Sequence, residues 1–360
     1  MTRRRFVTLA SSWLAVPQVL RPALAGRRMG LVIHSFGHRW RTKTASIQHP
    51  AFRDVLDVMD YARGYGIGSL QIGVGDWTLD VAHQARASCE SYDMRLEGIT
   101  SLPRGEGDLE RFSRDLKTGL EAGIRLFRVA AGGRRYETFA SREAFLAWKD
   151  AVRLSLKLAR PGVERLGVRL AVENHKDFEA AELLELLAEA ASPSFGVCLD
   201  LGNSLALLEE PMEVVRQLAA RTLTVHLKDI AVRPLVDGFE MSEVPLGLGI
   251  LDLPAMIQLL AEKAPEAGLH LEMITRDPLH IPCLREEYWA TFPQKPGLDL
   301  VRTLKKVRER ASQDLPKIRG LPPESILALE EKNVLESLSA GAASLGFSQM
   351  NLKALNHDEK

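Results

Sequence analysis

Short apolar runs and amphipathic stretches alternate eight times along this chain of 360 residues. That rhythm predicts an α/β fold, a (β/α)8 TIM barrel with an appended C-terminal helical segment. Two further observations support it. Several amphipathic stretches close with glycine just before the next apolar run, as a left-handed helix cap requires. Four consecutive runs also end in a polar side chain, at the end of the strand where such barrels keep their working residues.

The strands are expected at residues 30–36 (GLVIHSF), 68–74 (GSLQIGV), 94–100 (MRLEGIT), 124–130 (IRLFRVA), 168–174 (VRLAVEN), 195–201 (FGVCLDL), 223–229 (LTVHLKD) and 269–275 (LHLEMIT). Between them, stretches such as AFRDVLDVMDYARGYG and DLERFSRDLKTGLEAG repeat apolar residues every three or four positions, the period of a helix with one buried face. Gly66, Gly123, Gly167 and Gly268 are the expected caps. The eighth helix is expected in LDLVRTLKKVRERAS, after a loop rich in proline and aromatic residues. Past Pro316 another helix-period stretch, ESILALEEKNVLESLSAGAASLGF, and a polar tail have no place among the eight units. The barrel is thus expected over residues 29–312, with 313–360 as an extension. Whether that extension packs on the barrel, joins subunits or moves freely is open at this point.

Glu173, Asp200, His226 and Glu272 each follow an apolar run directly, at intervals of 27, 26 and 46 residues, the last widened by an insertion. They would end strands five to eight and form one arc. A lone glutamate at a strand end is usually solvated, and a lone strand histidine usually bonds a backbone group. Four in register are hard to assign to coincidence. Two glutamates, an aspartate and a histidine form a hard, oxygen-rich donor set, so a divalent ion (Mn²⁺, Co²⁺, Mg²⁺ or Zn²⁺) is the expected cofactor.

Composition narrows the partners. Basic and acidic residues number 47 each, which gives no pull toward nucleic acid or an anionic membrane. The three cysteines, Cys89, Cys198 and Cys283, are widely spaced and form no CxxC pair, so neither a disulfide framework nor a zinc knuckle is indicated. At the N-terminus, Arg3-Arg4-Arg5 precedes a mildly apolar stretch and Ala23-Leu24-Ala25, the layout of a twin-arginine export signal over residues 1–25. The stretch is too short to span a membrane. A periplasmic or exported protein, free of the membrane once the signal is removed, is the expectation; a basic N-terminal tail on a cytoplasmic protein is the alternative.

The segments ENH, CLDLGN, HLKD and LEM resemble those of the xylose isomerase-like TIM barrel superfamily, which holds sugar isomerases and epimerases, inosose dehydratases and the AP-endonuclease barrels. The resemblance runs over about residues 29–312. It implies a divalent metal on Glu173, Asp200, His226 and Glu272, with Glu173 and Glu272 doubling as acid and base on opposite faces of the substrate carbon. A homo-oligomer is common among such barrels, though no stretch here marks a contact surface. The chain departs from the pattern at Asn203, where many members carry histidine, and at Gln71, where glutamate is frequent. The endonuclease branch also needs a later Asp-x-His pair; Asp237 is followed by Gly238 and Phe239, which argues against a multi-zinc nuclease.

Other candidates surround this arc. Lys228 shares the strand face of His226 and can hold a substrate oxygen, or pair with Asp200 or Asp229. His175, just past Glu173, can contact substrate or orient Glu173. His34 at the end of strand one, Asn203, Arg276 and Trp40 are candidate substrate contacts; Arg276 can instead pair with Asp277, and Trp40, like Trp77, can simply pack. Gly247-Leu248-Gly249 before Asp252 reads as a tight turn and helix cap rather than a phosphate loop.

The expected activity is isomerisation or epimerisation of a small carbohydrate. A proton removed beside a carbonyl leaves an enediolate, whose charge a divalent cation stabilises by several kcal/mol. If a leaving group lies β to the carbonyl, the same intermediate makes the enzyme a lyase or dehydratase on a keto-sugar or inosose. A non-catalytic sugar-binding barrel is the alternative from another class.

Overall fold

The computed structural model describes residues 26–348 together with Leu24. The proposed export signal, Leu24 excepted, and the polar tail lie outside the described residues. The strands are β1 (Gly30–Val32), β2 (Ser69–Gly73), β3 (Arg95–Ile99), β4 (Leu126–Val129), β5 (Arg169–Glu173), β6 (Phe195–Asp200), β7 (Thr222–Leu227), β8 (Asp229–Leu235), β9 (Gly238–Val244), β10 (Gly268–Leu271) and β11 (Leu279–Ile281). Eight of them close a parallel barrel in the order β1-β10-β7-β6-β5-β4-β3-β2. All eight expected strands are present. The first is shorter than expected: it stops at Val32, and His34 lies in the 3₁₀ turn Ile33–Phe36 that follows.

The helices start and stop where local chemistry dictates. Asp54, Thr78 and Ser141 cap their helices by accepting backbone N–H groups in the first turn. Gly66, Gly123 and Gly167 take the left-handed conformation expected of them. Gly268 does not: it opens β10, and a Cβ there would meet the His270 ring and Glu97, so close packing selects glycine at this position.

The widened interval before the last barrel strand holds a hairpin, β8 and β9, which with β11 forms a three-stranded antiparallel sheet that sequence periodicity did not reveal. The helix Gly297–Glu309, expected to be the eighth barrel helix, packs on this sheet through Leu300, Leu304 and Val307, among Val232, Phe239 and Met241. The helix Pro323–Ala340, read as an extension, instead joins the main barrel core through Val334 and Leu338 and packs on β10. The C-terminal segment therefore packs on the barrel, the first of the three readings. Among the described residues no helix is long and apolar enough to cross a membrane.

Candidate metal centre and active site

Glu173, Asp200, His226 and Glu272 sit at the C-terminal ends of β5, β6, β7 and β10, all buried, and one ligand atom from each lies within 4.8 Å of the others. Register explains the convergence: β5 to β7 pair in parallel, with Asp200 opposite His226. Inward-pointing residues of neighbouring strands therefore meet at one level.

Each ligand is fixed by a different neighbour. Glu173 accepts from Arg128 Nε at 2.6 Å and from Asn203 Nδ2 at 3.1 Å. Burial pushes its carboxyl up, but Arg128 and His226 outweigh burial and hold it down at about 2. The Asp200 Oδ1 accepts the backbone N–H groups of Gly202 and Asn203, both at 2.9 Å. Asn174 clasps the Asp200 backbone from both sides, accepting its N–H at 2.7 Å and donating to its carbonyl at 2.9 Å. Glu272 accepts from Lys228 Nζ at 2.6 Å and pairs with His34 Nδ1 at 2.9 Å. Burial acts to raise the Glu272 carboxyl as well, and Lys228 and His226 drive it well below its usual range.

His226 carries the test of whether a metal fits. Its Nε2 lies 2.7 Å from Gln71 Oε1, and Gln71 Nε2 in turn donates to Glu97 at 3.0 Å. An amide oxygen only accepts, so the Nε2 of His226 carries the proton. The neutral ring then turns a bare lone pair on Nδ1 toward Glu272 Oε2 at 3.4 Å and toward Glu173 Oε2 and Asp200 Oδ2, both at 3.8 Å. That Nδ1 is buried and makes no hydrogen bond. A lone pair facing three carboxylates is repulsive unless a cation stands between them or the ring takes up a proton; burial opposes that proton, and the surrounding acidic groups outweigh burial to favour it. The donor set and the orphaned nitrogen fit a divalent ion.

Buried cations surround the cluster. Lys228 Nζ lies 2.7 Å from Asp200 Oδ2, an ion pair without hydrogen-bond alignment, and 3.9 Å from Glu243. Its partners are thus Asp200 and Glu272; Asp229 instead accepts the N–H groups of Gly247 and Gly249, both at 2.9 Å, which builds the expected turn, and Asp252 caps the next helix. Arg276 pairs with Glu243 of the hairpin at 3.1 Å, not with Asp277, whose carboxylate accepts the backbone N–H groups of Ile318 and Arg319. Lys176, buried against Asn203, is lowered to about 8 by burial and by Lys228.

Of the remaining candidates, His175 and Asn203 are engaged by groups of the protein itself, and Trp40 and Trp77 pack, as one of their two readings had it. His175 contacts the Gly133 carbonyl at 3.3 Å, and the groups that orient Glu173 are Arg128 and Asn203. Burial and Lys176 lower the His175 imidazole to about 4. Asn203 is committed to Glu173 and Lys176, so it supports the site from behind. Trp40 bridges to Phe52 and carries the Arg41 guanidinium 4.9 Å from its ring centre, and both Trp40 and Trp77 are half-buried against the core. Sequence reasoning missed Arg128, Asn174, Lys176 and Glu243. Arg128 left a signal, a charge in the middle of the apolar strand LFRV. Glu243 left none, because nothing marked the hairpin that carries it.

Residues 59–292 match the family model of the xylose isomerase-like TIM barrel, and the chain belongs to that family. Within it, one stretch of 112 residues is 33% identical to 3-oxo-isoapionate decarboxylase of Pectobacterium atrosepticum, covering 31% of this chain and 41% of that protein. The match therefore spans less than half of that relative's length. Among solved structures, a D-psicose 3-epimerase in the presence of D-fructose superposes with a TM-score of 0.58 at 12% identity, over 89% of this chain and 99% of that one. A xylose isomerase-like barrel from Mycobacterium smegmatis in complex with magnesium gives 0.52 at 13% identity, over 77% and 97%. At such identities these two likenesses show the fold.

Proposed function

We propose that this protein is a divalent-metal-dependent enzyme that carries a keto-sugar or keto-sugar acid through an enediolate, and that it cleaves a bond rather than epimerising a centre. The observation that carries the choice is the Arg128 clamp on Glu173. Two-base epimerisation needs two carboxylates able to exchange protons near neutrality. Glu173 is held at about 2, and Glu272 is held low by Lys228 and His226 against its burial. Each is already engaged, Glu173 by Arg128 and Asn203 and Glu272 by Lys228 and His34, so either would have to give up a cationic partner to take a proton from carbon.

Loss of a carboxylate makes a smaller demand, because no base has to take a proton from carbon. The electrons of the breaking C–C bond move toward the carbonyl to form the enolate as CO₂ leaves, and a proton is then delivered to carbon. A bound divalent ion would supply Lewis-acid stabilisation of the developing negative charge. The buried ammonium groups of Lys228 and Lys176 and the partly buried guanidinium of Arg276 offer electrostatic complementarity to the same charge and to a substrate carboxylate. Lys176, at about 8, is the group best matched to giving a proton near neutrality. The relative named as a decarboxylase supports this reading.

Isomerisation or epimerisation is the second reading, favoured by the presence of Glu173 and Glu272 together at the cluster. The two are separated by incubating the metal-loaded enzyme with keto-sugars and keto-sugar acids in D₂O and following both by NMR. Cleavage predicts fragments or released CO₂, with deuterium only in the product. Deuterium in recovered, intact sugar would instead establish the epimerase.

A further inference from the structure

Barrels of this kind are usually filled with branched apolar side chains, yet Gln71, Glu97, Thr224 and His270 are all buried in this one. Gln71 on β2 and Glu97 on β3 lie opposite each other in the parallel register. Gln71 has no exposed surface, and Glu97 is only 9% exposed. Among the described residues Glu97 makes one hydrogen bond, in which its Oε2 accepts from Gln71 Nε2 at 3.0 Å. Its Oε1 lies 3.8 Å from His270 Nε2, on a ring already engaged by Ser69 Oγ at 3.0 Å and by Thr224 Oγ1 at 3.2 Å. A buried carboxylate is costly, and a neutral side chain of the same shape would fill this space equally well. Packing alone therefore does not account for a charge at this position.

What an ionised carboxylate offers is direction. It accepts hydrogen bonds and donates none, whereas a primary amide does either, according to the end it presents. Facing Glu97, the Gln71 amide has to present its nitrogen, which leaves Oε1 for His226 Nε2, 2.7 Å away. That oxygen accepts, so Nε2 keeps its proton and Nδ1 turns a lone pair toward Glu173, Asp200 and Glu272. With the amide turned over, Gln71 would give an N–H to His226, the ring proton would move to Nδ1, and that N–H would face the three carboxylates in place of a metal ion. The two ends of the amide are nearly the same size, so packing does not oppose the turn. The opposition comes from Glu97, two hydrogen bonds away from the ring.

We propose that Glu97 is a positioning residue that fixes the direction of this hydrogen-bond chain and so holds His226 in the tautomer able to bind a divalent ion. The inference rests on the metal-site reading and deepens it. Four side chains supply the donor atoms, while Glu97 decides whether one of them offers a lone pair. The carboxylate need not touch the ring, because Gln71 passes its direction from β3 across to β7.

The test moves the carboxylate. In Glu97→Gln either end of the substituted amide can face Gln71, so Gln71 is free to turn. Its Zn²⁺ affinity, measured by competition with a chromophoric chelator, is expected to fall about 10- to 100-fold, the scale of losing an outer partner of a metal-bound histidine. Combining Gln71→Glu with Glu97→Gln puts an acceptor-only group directly against His226 and an amide behind it as donor. This double variant keeps nearly the same atoms in the same space and should restore the affinity. Circular dichroism checks that both variants are folded. Loss in the single variant with recovery in the double supports the relay, because a second substitution would not repair damaged packing. Unchanged affinity in Glu97→Gln overturns it, as does a loss that the folded double variant fails to restore. Wild type that binds no Zn²⁺ sinks the metal site itself and the inference with it, whereas wild-type binding beside an unchanged Glu97→Gln sinks the relay alone.

Discussion

His226 gives its Nε2 proton to Gln71 across 2.7 Å, and that one contact decides which nitrogen of the ring faces the carboxylates. Outer hydrogen bonds of this kind typically contribute 10- to 100-fold to metal affinity. Gln71→Leu keeps the volume roughly but removes the acceptor. It is expected to weaken Mn²⁺ or Co²⁺ binding by about 10- to 100-fold with the fold intact, as titration calorimetry beside circular dichroism would show. An unchanged affinity would mean that the tautomer is set elsewhere.

Arg128 and Glu173 form a buried pair from adjacent strands. Removing one partner of such a pair strands the other charge and costs about 3–5 kcal/mol. Arg128→Met should lower the unfolding free energy by that amount in a urea titration with unchanged slope. A loss below about 1 kcal/mol would show that Glu173 finds another counter-charge or takes up a proton cheaply.

The helix Pro323–Ala340 is part of the barrel's wall, with Leu338 2% exposed in the main core. Leu338→Ala is expected to cost about 2–5 kcal/mol, the usual range for truncating a buried leucine. A loose appendage would instead give a change within about 0.5 kcal/mol.

The same helix lends the fold a pH-dependent stability. Glu330 accepts the backbone N–H groups of His38 and Arg39 at 2.8 and 2.9 Å, in the segment that follows His34. Burial nonetheless pushes its carboxyl up to about 7. A folded-state value above the unfolded one, about 4.3, means that the native state binds the proton more tightly. The contribution is fully present below about pH 4.3 and is lost as pH rises through about 7. Between pH 5 and 8.5, wild type should therefore lose roughly 2–3 kcal/mol more stability than Glu330→Gln, read from urea midpoints at the two pH values. Parallel pH curves would contradict this.

The barrel and the arc of four converging residues were legible because both follow from periodicity. Strand runs with a polar residue at one end place Glu173, Asp200, His226 and Glu272 together through parallel register alone. What was not legible depends on tertiary contact. Periodicity shows that LDLVRTLKKVRERAS and ESILALEEKNVLESLSAGAASLGF are helices, but not which surface each covers, and the two proved to cover different ones. Lys228 could be placed on the right strand face, whereas its choice of Asp200 and Glu272 over Asp229 depended on a turn that already occupies the Asp229 carboxylate. Gln71 was noticed only as a departure from the family pattern; its hydrogen bond to His226 gives it a physical role.

The most direct measurement of the central claim is the metal content of purified protein after dialysis, wild type beside Glu272→Gln, by elemental mass spectrometry. The four-ligand site predicts about one equivalent of a divalent metal in wild type and its loss in the variant, since one of only four protein ligands is weakened. Wild-type protein that retains no metal and cannot be reloaded with Mn²⁺, Co²⁺, Mg²⁺ or Zn²⁺ would contradict the account, and would leave His226 as a protonated partner of its three carboxylates.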